Sequence, residues 1–192
     1  MNNIRTTSYD IEQLLENEKG WLYYDAAFKA WKNILRNIIG YNVLDIGCGS
    51  GIMMMLNKLF NPDLNIHGFE GDPGAKLLWQ KRGLEVETGN IYNLPYDDDK
   101  FETVYSSHVL EHLENPREAI IEMKRIASKR IINIVPDGDV SDKNHGSPHL
   151  HIFNRISIEM LHHDINLNII DNYSIQDYHM NQIIIICEKK YV

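Results

Sequence analysis

The chain predicts an α/β fold, a mostly parallel sheet with helices on both faces. Three observations carry this. Val43-Leu44-Asp45-Ile46-Gly47-Cys48-Gly49-Ser50-Gly51 runs from a buried, β-branched strand into a glycine-rich turn and straight on into a helix. Beyond that turn, helical and strand-like segments alternate, as crossover-linked parallel strands require. The last two strand-like runs, Asn168 to Ile175 and Gln182 to Glu188, have no helix between them, so the final strand is expected to be antiparallel.

Each element has its own signal. Asp10 to Glu18 reads as a short polar helix stopped at Gly20. Trp21 to Ile39 reads as a longer helix whose Trp21, Tyr24, Phe28, Trp31 and Leu35 recur at three- and four-residue steps, a stripe expected to pack on the sheet. Tyr41 to Ile46 is the first strand. Gly51 to Phe60 is helical and stops at Asn61-Pro62. A strand at Asn65 to Gly71 leads to a helix at Pro73 to Arg82, with Asp72 as its cap and proline in the first turn, where a missing N–H costs little. Strands follow at Leu84 to Gly89 and Phe101 to Ser107, a helix at Pro116 to Ser128, a strand at Arg130 to Val135 and a helix at Ile156 to Asp164. The strand candidates number seven.

At 192 residues the chain is long enough for one domain with a real core. The expected division is a helical cap over residues 1–39 and a ligand-binding body over 40–192. A hydrophobic content of 43% and a net charge of −8 fit a globular protein and argue against a basic nucleic-acid footprint. No apolar run reaches membrane-spanning length. Cys48 and Cys187 both lie in apolar, strand-like runs and read as buried thiols, which fits a reducing compartment, the cytoplasm.

The turn points to a nucleotide-like ligand. Gly47, Gly49 and Gly51 remove side chains where the chain turns tightly and a ligand nears the backbone, and the following helix aims its free N–H groups into the same space. A dinucleotide-binding turn is spaced Gly-x-Gly-x-x-Gly. Here the glycines alternate, Ile52 stands where the third would be, and Asp45 would repel a diphosphate but suit a cation. This spacing disfavours a nicotinamide-dependent oxidoreductase.

In wording and spacing the segment resembles the first motif of the class I S-adenosylmethionine-dependent methyltransferases, type 11-like branch. Two downstream segments carry the same resemblance. Leu84 to Pro95 is similar to the family stretch in which a strand ends at Gly-Asp and Leu-Pro follows, with Asn90 here in place of Asp. Phe101 to Leu113 is similar to the fourth family motif, which usually has Asp where this chain has Glu102. The resemblance covers about residues 40–190. It implies a Rossmann-like sheet in the order 3-2-1-4-5-7-6 and S-adenosylmethionine as cofactor. It implies that Asp45, Gly47, Cys48, Gly49 and Gly51 hold the amino-acid part and that Glu70 and Gly71 hold the ribose. By the same resemblance Asn90 would accept from the adenine amino group, Ile91 would lie against the ring and offer its N–H, and Ser106, Ser107 and His108 would neighbour the methionine part. His108 is the candidate general base, and His112 reads as structural.

Asp137, Asp139, His145, His149 and His151 follow the fifth strand, in the loop expected to roof the substrate pocket. These types can hold a divalent metal, but the expectation is a His-rich loop without one. His162, His163 and His179 read as surface or packing residues. No Asn-Pro-Pro-Tyr-type signature follows the fourth strand, so the implied acceptor is a small molecule rather than a nucleic acid, methylated at oxygen, nitrogen or carbon. The alternative is a catalytically silent module that keeps the cofactor site and serves a partner.

Overall fold

A computed structural model describes residues 25–138, 149–176 and 181–189. Its elements in chain order are α1 (Asp25–Asn37), β1 (Asn42–Ile46), α2 (Ile52–Phe60), β2 (Asn65–Glu70), α3 (Lys76–Arg82), β3 (Val86–Thr88), β4 (Phe101–Ser107), α4 (Pro116–Ile126), β5 (Ala127–Pro136), α5 (Arg155–His163), β6 (Asn168–Ile175) and β7 (Gln182–Glu188). The strands form one sheet in the order β3-β2-β1-β4-β5-β7-β6. The pairs from β3 through β5 are parallel, and β7 runs antiparallel to both of its neighbours. This is the predicted topology.

Alternation along the strands builds two cores. Leu44, Ile46, Val104, Ile131 and Ile185 face one way, onto Ile120 and Met123 of α4 and Ile158 of α5. Val43, Tyr105, Ile132, Ile134 and Ile184 face the other, onto Trp31 and Ile34 of α1 and Met54 of α2. Cys48 and Cys187 are free and buried, as expected. Among the described residues, no helix is long and apolar enough to cross a membrane.

Several expectations need correction. Phe28 belongs to the predicted stripe but is 53% exposed; Ala30, Trp31 and Ile34 form the buried face, and the Phe28 ring rests at its rim, 5.1 Å from that of Trp31. Trp21, Tyr24 and the Asp10 to Glu18 helix lie outside the described residues. The helix expected to reach Ser128 ends at Ile126, and the strand expected from Arg130 begins at Ala127. Ala127 pairs with Phe101, the first residue of β4, and the Ser128 hydroxyl donates to the Phe101 carbonyl, so sheet pairing overrides the local turn signal. Pro73–Ala75 forms a separate 3₁₀ turn before α3, with the Asp72 carboxylate accepting from the Gly74 N–H as the cap reading requires. The strand expected at Leu84 to Gly89 shortens to three residues at the sheet edge, where an outer strand has one partner only.

His162 is fully buried, while His163 is exposed. The His162 Nδ1–H donates to the Ile158 carbonyl and its Nε2 accepts from Asn133, which in turn accepts from the Ser106 hydroxyl. Burial pushes the ring down to about 4 from an ordinary 6.5. Between these values the unfolded chain binds a proton that the folded one refuses, so stability falls as pH falls through the window, by about 1.4 kcal/mol per pH unit. Urea melts at pH 7 and 5 should show this loss, and His162→Gln should flatten it. A parallel loss in both proteins would refute the assignment.

Candidate active site

Parallel pairing brings the ends of β1, β2, β3 and β4 to one edge. Ile46 stands beside Phe69 and Ser106, and Glu70 beside Thr88. The glycine turn leaves β1 here and is anchored on three sides. Gly47 and Cys48 N–H groups donate to the Phe69 carbonyl at 2.8 and 3.2 Å, the Trp79 indole donates to the Gly49 carbonyl at 2.7 Å, and Arg82 donates to the Ser50 carbonyl at 2.9 Å. Gly47 has φ +71°, and a Cβ there would stand 2.3 Å from a Val109 methyl. Gly49 has φ +53°, and a Cβ there would meet nothing within 4 Å. One glycine is therefore demanded by packing, while the other leaves backbone open to a ligand. Gly51, at φ 83°, forms the N-terminal cap of α2.

Asp45 sits opposite Tyr105 on the α1–α2 face. It is buried, and its Oδ2 has no hydrogen-bond partner. Burial pushes its carboxyl up to about 8; the Tyr105 hydroxyl works against that shift and the Glu70 charge adds to it. The Tyr105 hydroxyl in turn accepts from the Asn57 amide, whose oxygen accepts from the Trp31 indole, both at 3.0 Å. A buried chain thus runs from α1 through α2 and β4 to Asp45. Sequence reasoning missed it, although one signal was present: Asn57 is polar within the apolar run Ile52–Phe60.

The Glu70 carboxylate accepts from the Gly49 N–H at 2.9 Å and the Asp72 N–H at 3.1 Å, closing the turn against the end of β2. Burial raises its pKa, and these hydrogen bonds oppose the rise. Each carboxylate oxygen retains acceptor capacity. Burial also raises the Cys48 thiol well above its ordinary value, helped by Asp45 and Glu70. Gly71 follows β2, with the Gly89 carbonyl near it. Asn90 is exposed, and its side-chain oxygen accepts from the Tyr92 N–H in a local turn. Ile91 packs, half-buried, against the core.

Beyond β4 the predicted residues separate. The Ser106 side chain points into the core toward Asn133, away from the strand-end site, because alternation assigns it to the α5 face. Ser107 is half-buried with its hydroxyl unpartnered. His108 adopts φ +57°, a strained conformation for a ring-bearing residue. Its Nδ1 lies 3.3 Å from Oε1 of Glu111, a carboxylate that is 1% exposed. Burial works to raise Glu111, and the neighbouring His108 ring more than offsets this, leaving the group below its ordinary value. Glu111 was not anticipated as a site residue.

The His-rich loop is also redistributed. His149 stands against His112, ring centroids 4.9 Å apart, while His151 stacks on Phe153. Asp137 accepts from the Ser174 hydroxyl. Asp139, His145 and His179 lie outside the described residues.

The sequence profile of a family described as a methyltransferase domain matches residues 44–130. An ajmaline N-methyltransferase from Rauvolfia serpentina is 33% identical over 96 residues, 45% of this chain and 32% of that protein. A tRNA U34 carboxymethyltransferase from Nautilia profundicola is 29% identical over 138 residues, 60% of this chain and 45% of that one. The chain thus spans less than half the length of either relative. A solved S-adenosylmethionine-dependent methyltransferase from Aquifex aeolicus superposes with a TM-score of 0.71 at 16% identity, covering 94% of this chain and 98% of that one. Residues 44–130 thus match a methyltransferase domain, and the chain has the fold of solved S-adenosylmethionine-dependent methyltransferases.

Proposed function

We propose that this chain moves a methyl group from S-adenosylmethionine to a small-molecule acceptor, at oxygen, nitrogen or carbon. The observation that carries this reading is the open backbone at Gly49, set between the unpartnered Asp45 oxygen and the Glu70 carboxylate. A buried acid with one oxygen unpartnered suits a cationic ligand, and a carboxylate with spare acceptor capacity suits paired hydroxyls. Asp45 with Gly47, Cys48, Gly49 and Gly51 would hold the amino-acid part, Glu70 and Gly71 the ribose, Asn90 and Ile91 the adenine, and Ser107 and His108 the reacting end. S-adenosylmethionine, when bound, supplies an electrophilic methyl carbon on a sulfonium. His108 takes the acceptor's proton, with Glu111 orienting the ring. The two buried thiols fit a cytoplasmic setting.

The net charge of −8 favours a small acceptor over a polyanion. The Nautilia relative makes tRNA the second arm of an acceptor screen. Calorimetry with S-adenosylhomocysteine should give micromolar binding, and Glu70→Ala should weaken it about 100-fold, the equivalent of one strong charged hydrogen bond of about 2.7 kcal/mol. Folded protein without binding would overturn the reading. Binding with no transfer to any acceptor would favour a silent module on the same fold.

A further inference from the structure

We propose that Glu111, His112 and His149 form a binding site for one divalent transition-metal ion, beside the proposed cofactor site. One potential ligand atom from each residue lies within 4.8 Å of the others. Two imidazoles and one carboxylate suit zinc, cobalt or manganese better than magnesium or calcium, which favour all-oxygen sets. Zinc ligands at ~2.0–2.2 Å stand about 3.4 Å apart in a tetrahedron, so modest side-chain rotation closes this set.

Two observations go beyond proximity. Glu111 is buried, yet neither carboxylate oxygen has a hydrogen-bond partner, and Oε1 stands 3.3 Å from His108 and 3.9 Å from His112. The His108 ring answers Oε1, but Oε2 is buried with no donor, a condition that a cation would relieve. The backbone, meanwhile, delivers the third ligand. The Glu111 carbonyl accepts from the Leu150 and His151 N–H groups at 2.8 and 3.1 Å, which fastens the chain next to His149 onto the 3₁₀ turn Leu110–His112. A purely structural ion pair needs one imidazole; this carboxylate has His108 and His112 beside it, and His149 reaches the same cluster. His108, on the same oxygen, orients the carboxylate as an outer partner. The ion would leave coordination positions open toward the carboxyl edge of β4, so an acceptor bearing an oxygen ligand is the class selected. That last step rests on the methyltransferase reading; the metal site itself does not.

The test uses cobalt(II) alone, added to chelator-stripped full-length protein and followed by its visible absorption and by calorimetry. Wild type should bind one ion with micromolar or tighter affinity. His149→Ala and Glu111→Gln should each weaken binding about 100-fold, while His151→Ala should leave it unchanged. A thermal melt with zinc should rise in wild type and not in His149→Ala, which guards against misfolded variants. Absent or non-stoichiometric binding, or an equal loss in His151→Ala, overturns the site. S-adenosylhomocysteine titrated in parallel separates the two readings: metal without cofactor binding sinks the methyltransferase reading alone, and cofactor without metal binding sinks this one alone.

Discussion

Replacing Asp45 with asparagine is expected to stabilise the ligand-free protein and at the same time weaken cofactor binding about 30-fold or more. Asp45 is buried with one oxygen unpartnered, and its carboxyl is pushed up to about 8 from 3.8. Between those values the folded state holds a proton that the unfolded state has released. Folding stability therefore declines as pH rises through the window, by about 1.4 kcal/mol per pH unit. Asparagine has no proton to lose, so the variant's melting temperature should exceed that of wild type by a margin that widens from pH 5 to pH 8. A cationic ligand reverses the preference, because the ionised acid is the form it pairs with. Wild-type affinity should accordingly rise with pH toward 8, and asparagine, lacking the charge, should forfeit a charged hydrogen bond of roughly 2–3 kcal/mol. Thermal melts and calorimetry across pH decide the matter. A melting difference that ignores pH would show that Asp45 is already ionised in the free protein.

Gly47→Ala should cost about 2–4 kcal/mol of stability. Positive φ accounts for about 1–2 kcal/mol of that. The rest is overpacking, since the new methyl would stand 2.3 Å from Val109. The components separate in a double-mutant cycle with Val109→Ala, which should restore the packing part and leave the backbone part. Additive losses in urea melts would show that Val109 moves aside freely.

What was legible in the chain was local. The glycine turn, Glu70 at a strand exit, and the alternation of periods two and three to four are written in neighbouring residues; they gave seven strands, and the family resemblance implied their order. What was not legible depends on pairing across distance. Ser106 reads like Ser107 in sequence, yet alternation turns it inward to Asn133, 27 residues away. Ala127 looks like the end of a helix until Phe101 pairs with it. Asp45 is readable as an acid near a turn, but its raised pKa arises from burial and from the chain of Trp31, Asn57 and Tyr105, contributed by three separate elements. His149 meets Glu111 and His112 because a backbone carbonyl ties the two segments, and no spacing rule records that tie.

Strand β7 is the last of the seven to be synthesised, yet it lies between two strands made before it. Until Gln182 to Glu188 leaves the ribosome, β5 and β6 each present an open hydrogen-bonding edge facing a vacant slot. The residues that fill the slot include four consecutive isoleucines, Ile183 to Ile186, all buried once in place. The nascent chain must therefore keep a strongly apolar gap unfilled during translation, and the sheet closes in a final insertion step. A chain stalled short of that strand would be a natural client for chaperones.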